Sequence, residues 1–142
     1  MKIIKGNIFI CLISALVVLC ALSGCRKVSH NGKLDGQWQI MKIENLETSE
    51  EIVPEKRMYI CFNLHVVQLT SVGFGNASGN MQYDKKTGIL NWDFPYNTDE
   101  SGLNRLNKWG IYTNPVRLEV LKVNNRALIL KTPETIITCR RF

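Results

Sequence analysis

The sequence predicts an all-β protein: a small antiparallel up-and-down β-barrel of about eight strands, preceded by a separate apolar block. Three observations carry this. Short strand-like runs recur from Leu34 onward, divided by turn residues, while helical spacing is sustained nowhere and shows only weakly around Leu103 and Leu106. Three connections read as hairpins, which a parallel sheet with its long crossovers does not allow. Residues 1–24 hold 17 apolar side chains and no acid, a composition shift that sets them apart from the rest. The whole chain has 142 residues and a formal charge of +6, enough for one domain.

The first block starts with Lys2 and Lys5 and continues as an apolar run from Ile8 to Leu22, broken only by Ser14. Fifteen residues make about 22 Å of helix at ~1.5 Å each, short of the roughly 20 residues that a bilayer span needs. A positive start, a short apolar run and then small residues make the pattern of a cleaved signal peptide. Leu22-Ser23-Gly24-Cys25 resembles the lipobox of bacterial lipoproteins. That resemblance implies cleavage after residue 24 and lipidation of Cys25, with two or three acyl chains holding the protein to a membrane. The competing reading is an ordinary signal peptide with Cys25 free. Residues 25–33 read as the lipidated cysteine and a polar tether, in which Arg26 and Lys27 favour anionic head groups or are simply solvated. With no acidic run after Cys25, the expected location is the cell envelope, anchored to the outer membrane and facing the periplasm. The mature charge is 16 − 12 = +4.

The folded part, 34–142, begins with a strand over Gln37–Leu46. Arg57–Leu69 follows as one long strand, apolar on both faces, which implies cover on both sides or a partner on the outer one. Gly79–Tyr83 is the third and Gly88–Phe94 the fourth, and the Asp84–Gly88 bend between them suits a type I turn closed by glycine. Leu90, Trp92, Phe94 and Tyr96 share one face by alternation. Asn97–Asn107 is a polar loop, either a lid at the open end of a barrel or a disordered connection. Trp109–Tyr112, Val116–Val123, Arg126–Lys131 and Thr135–Phe142 complete the set. Asn124-Asn125 makes one hairpin turn, and Pro133 breaks the chain at another. Eight such strands fit a closed barrel or a sandwich. Closure removes the exposed edges that invite aggregation, and such a barrel is filled by side chains or holds one small ligand.

Leu34-Asp35-Gly36-Gln37-Trp38 places Gly-x-Trp at the start of the first strand, and Arg140-Arg141 ends the last. Together with the lipobox and tether, this layout resembles the small lipocalin-like bacterial lipoproteins of unassigned function. The resemblance implies a lipocalin-like barrel whose closed end is plugged by Trp38, next to Gly36, with Arg140 or Arg141 across the indole. In a generic sandwich, Trp38 would simply be core.

Chemistry-bearing motifs are scarce. There is no Cys-x-x-Cys, His-x-x-x-His or Gly-x-Ser-x-Gly, so no metal site, cofactor or catalysis is expected. His65 lies in the long strand and His30 in the tether. The scattered charge of an exported protein implies no nucleic-acid partner. Cys61 and Cys139 are expected to flank the first strand about two strand spacings apart, as free, buried thiols; a bond between them would count against the barrel. Phe62, Trp92, Phe94, Tyr96, Trp109 and Tyr112 are the candidates to line a small hydrophobic ligand. The competing reading is a filled barrel whose outer surface binds or inhibits an envelope protein.

Overall fold

The computed structural model describes residues 29–73 and 75–142. The expected signal peptide and Cys25 lie outside the described residues. Among the described residues, nine strands form one antiparallel sheet: β1 (Gly36–Asn45), β2 (Glu51–Ile52), β3 (Met58–Asn63), β4 (Val66–Ser71), β5 (Gly75–Asp84), β6 (Ile89–Asp93), β7 (Val116–Val123), β8 (Ala127–Lys131) and β9 (Thr135–Arg141). β1 pairs with β3, each of β3 to β8 pairs with the next, and β9 returns to β1. Eight strands thus close an up-and-down barrel, and β2 is an extra piece on the far half of β1. Lys42 holds it there through Glu51 at 2.6 Å.

The expected long strand Arg57–Leu69 is instead the β3–β4 hairpin, turning at Leu64 and His65. Phe62 lies opposite Val67, and Ile60 opposite Leu69. Opposed residues share a face, so the two apolar faces of one imagined strand are the single inner face of two strands. Leu64, with φ 54°, makes the turn in a region where glycine or asparagine is usual, which is why no turn signal marked it.

Trp109–Tyr112 is likewise no strand, and Asn97–Asn107 is no open loop. A helix, α1 (Glu100–Asn107), lies there, with Asp99 capping it by accepting from the Gly102 amide at 2.9 Å. Leu106, Trp109 and Ile111 carry the chain over the barrel and are fully buried.

Bulges in β1 and β7 shift the register at Met41 and Leu121. Each places one extra apolar residue outside and restores the inward phase beyond it, at Ile43 and Val123. The core runs continuously from Leu34 and Trp38 at one end to Ile43, Ile111 and Ile137 at the other. Among the described residues, no helix is long and apolar enough to cross a membrane.

Candidate functional site

The up-and-down order gives the barrel two distinct ends. Residues 29–35, the turns at 64–65, 85–88 and 124–126, and the final residues gather at one; residues 46–57, 72–73, 94–115 and 132–134 gather at the other.

The first end is closed. Trp38 has no surface that water can reach, and its indole N–H donates to the Leu34 carbonyl at 2.8 Å. Of the two candidate arginines, the barrel uses Arg141. Its guanidinium lies 4.7 Å from the Trp38 ring centroid and donates to the Lys33 carbonyl at 2.9 Å. Gly36 is required beside it: its φ is +121°, and a Cβ there would come within 2.9 Å of the guanidinium. Arg140 points elsewhere and binds Gln39 at 2.8 and 3.1 Å. Residues 29–33, expected to be tether, fold against this end. Asn31 is buried and donates to the Leu64 carbonyl at 2.8 Å and to Asp35 at 2.6 Å. Burial works to raise the Asp35 carboxyl, but hydrogen bonds from Asn31 and Ser29 and the charge of His30 outweigh it and hold it below its ordinary value. The His30 and His65 rings meet edge-on at 4.6 Å.

The second end is the mouth, and the 94–115 connection caps it. Asn114 clamps the base of the cap: it accepts from the Phe94 amide at 2.9 Å and donates to the Phe94 and Asn97 carbonyls at 2.8 and 3.2 Å. Thr135, fully buried, donates to the Gly110 carbonyl at 2.7 Å and so pins the far side to β9. Gly110 has φ +77°, and any Cβ there would meet Ile43 at 2.9 Å, so the cap lies directly on the β1 and β9 side chains.

Beneath the cap, the expected ligand-lining residues separate. Trp92, Phe94 and Trp109 expose nothing and Phe62 only 2%. Phe62 and Phe94 pack on Trp92 with ring centroids 5.9 and 6.1 Å away. A void that admits water would expose its walls, so these four side chains pack as core and do not line an open cavity. Tyr96 is 90% exposed, because β6 ends at Asp93 and the alternation stops there. Trp92, though its side chain is buried, sits at the floor of an outer groove of about 430 Å³ with Asn80, Gln82, Asn91 and Pro115. Tyr112 lines apolar open space at the mouth. It borders a groove of about 390 Å³ with Ile43, Ile52, Val53, Pro54 and Met58, and Glu55, Asn107 and Lys108 complete the lining. A second groove of about 350 Å³ lies across Tyr112, against Leu46 and Pro133. Sequence reasoning missed Ile52 and Val53, whose signal was an apolar pair within an otherwise acidic connection.

Among the described residues, three buried donors have no partner: the indole N–H groups of Trp92 and Trp109, and the Asn97 amide. All belong to β6 or the cap. Leaving such a group unmet costs about 1–3 kcal/mol.

Cys61 and Cys139 are both free, on opposite faces of the sheet. Cys139 is buried, and burial pushes its thiol up to about 12. Cys61 is half-buried on the outer side of β3, which corrects the expectation that both are buried; partial burial also raises it. Among the described residues, no group of three or more His, Cys, Asp or Glu could hold a metal ion.

Charge follows the two ends. The closed end carries Lys33, Lys85, Lys86, Arg126, Arg140 and Arg141 against Asp35 and Asp84. At the mouth, Glu47, Glu50, Glu51 and Glu55 face Lys56 and Arg57 within one connection. Asp99 and Glu100 balance Arg105 and Lys108 in the cap, and Glu134 adds a further acid. Summed over these named residues, side-chain charge is 6 − 2 = +4 at one end and 4 − 7 = −3 at the other.

A family model described as a lipocalin-like domain matches residues 20–142. Among solved structures, the chain is similar to a lipocalin-like protein from Bacteroides uniformis ATCC 8492, with TM-score 0.63 and 14% identity, over 78% of this chain and 100% of that one. An uncharacterized protein from Bacteroides eggerthii DSM 20697 matches with TM-score 0.59 and 10% identity, over 77% of this chain and 99% of that one. At these identities the likeness is one of fold. A search of curated proteins returns no match.

Proposed function

The chain belongs to the lipocalin-like domain family, and on that premise we propose that it is a membrane-anchored lipoprotein that binds a small hydrophobic ligand at the mouth of its barrel. The groove lined by Ile43, Ile52, Val53, Met58 and Tyr112 carries this reading. Its volume falls in the range of about 300–1,000 Å³ usual for small-molecule sites, and mostly apolar walls with a few polar groups are their usual form. The ligand sits under the 53–55 arm and against the cap, above a core already full. Anchoring is through Cys25, as its lipobox-like setting implies, and the location is the outer membrane facing the periplasm. No catalytic role is proposed.

Native mass spectrometry of the protein from its own envelope tests the binding. A reproducible extra mass, lost on denaturation, together with uptake of a hydrophobic dye that Val53→Asp abolishes, is the expected result. A bare mass and no dye uptake would overturn it. The packed interior around Trp92 then favours the second reading, a filled barrel whose surface engages another envelope protein. Incorporation of labelled palmitate, absent in Cys25→Ala, tests the anchor.

A further inference from the structure

We infer that the closed end of the barrel is a docking surface for an anionic lipid bilayer, which holds the barrel upright with its mouth turned away. The inference rests on the anchored-lipoprotein reading for the presence of a membrane, and on the geometry of the closed end for the contact.

Charge gives the first argument. The closed end carries +4 and the mouth −3, so the barrel is an electric dipole with its basic pole at the tethered end. Lys85 and Lys86 stand exposed at one turn and Arg126 at the next. Basic groups gathered next to an anchor are drawn to anionic head groups. The sequence between Cys25 and the barrel, with Arg26 and Lys27, has the same sign.

The second argument is apolar. Leu64, at the tip of the β3–β4 hairpin, is 56% exposed, with Val66 beside it, and Phe142 is 64% exposed. Leu64 also holds φ 54°, a left-handed conformation that glycine or asparagine adopts at less cost. A leucine there is unfavourable twice over in water, once in backbone and once in side chain. Insertion of the tip at the boundary of head groups and acyl chains removes the second penalty. Leucine and phenylalanine among lysines and arginines are the residue types of surfaces that lie in that boundary.

The third argument is reach. Ser29 is fastened to Asp35 at 2.8 Å, on the closed end. Cys25 is four residues before it, a span of at most about 14 Å at ~3.5 Å each. An acylated Cys25 on so short a connection keeps the closed end at the bilayer surface.

The described residues, 29–73 and 75–142, close the barrel and bury its core, so the chain from Arg26 on is the reagent. It is sedimented with vesicles of phosphatidylglycerol and phosphatidylcholine, and with phosphatidylcholine alone. The expected result is binding to the anionic vesicles only, weakened at high salt. The pair Lys85→Glu and Lys86→Glu should lower it by about tenfold or more, and Val53→Asp at the mouth should leave it unchanged. Leu64→Gly separates docking from folding: it should raise thermal stability and yet weaken vesicle binding. Absence of binding to anionic vesicles, equal losses with Val53→Asp, or a patch that mediates only self-association would each overturn the inference. Palmitate labelling reads the anchor independently. Label without vesicle binding removes the docking surface and keeps the anchor; vesicle binding without label does the reverse.

Discussion

The two ends of this barrel are shut by different means. At the closed end, a single tryptophan is satisfied on every side: Leu34 accepts its N–H, Arg141 covers its face and Gly36 leaves room for the guanidinium. At the mouth, a helix and the segment behind it press Leu106, Trp109 and Ile111 onto the barrel, and polar contacts hold the margins through Asn114 and Thr135. The indoles below keep unmet N–H groups. Both ends exclude water, but one is a finished plug. The other is a cover whose hydrogen bonding is incomplete, at the end where ligand binding is proposed.

The largest test of that contrast is Trp38→Ala. Loss of a fully buried indole and collapse of its supports should cost about 3–5 kcal/mol, measured by urea unfolding. A loss below about 1 kcal/mol would mean the plug is not a plug.

A sharper comparison uses phenylalanine at two positions. Trp38→Phe strands the Leu34 carbonyl in a buried place and should cost about 1–3 kcal/mol. Trp109→Phe loses the same packed volume but removes a donor that has no partner, so it should cost less than Trp38→Phe by that hydrogen-bond difference. Equal costs would show that Trp109 is hydrogen-bonded in solution.

Thr135→Val cuts the link from β9 to Gly110 while nearly keeping volume. Hydrogen exchange should then speed up through residues 100–112 and leave β3 and β4 unchanged. Uniform acceleration across the sheet would mean that cap and barrel open together.

The smallest effect is in the thiols. A thiol reagent at mild alkaline pH should label Cys61 slowly and Cys139 only on unfolding. Because burial raises the Cys139 thiol to about 12 from 9.0, the unfolded chain loses that proton first as pH rises. Stability is unaffected below about pH 9 and falls between 9 and 12, and Cys139→Ser should flatten that slope.

Where a signal was local, it was legible. Asp84 accepts from the Lys86 amide and Thr87 hydroxyl at 2.9 and 2.8 Å, and Gly88 takes φ 71°, so the turn reads from its own five residues. The Asn124 side chain caps its turn in the same way, accepting from Arg126 and Ala127. The β3–β4 turn was hidden because a leucine occupies a conformation that other residues advertise. The helix was hidden because its eight residues bury only Gly102 and Leu106; Asp99 before Glu100 was its one cue. Of the candidate ligand residues, Tyr112 borders the apolar groove at the mouth while Phe62, Phe94 and Trp109 are core, because alternation reports that a side chain points inward but not what meets it there.

By itself, the sequence determined the all-β class, most strands, the turns at 84–88, 124–125 and 132–134 and the Gly36–Trp38 start, because these depend on residues within a few positions of one another. Tertiary structure alone decided that Arg141 and not Arg140 covers Trp38, 103 positions away, through the closure of β9 on β1. It also decided that the interior is full, that Ile52 and Val53 meet Tyr112 in one groove, and that the basic and acidic halves separate to opposite ends. Each of these depends on which distant segments meet when the sheet closes, and closure is a property of all eight strands together.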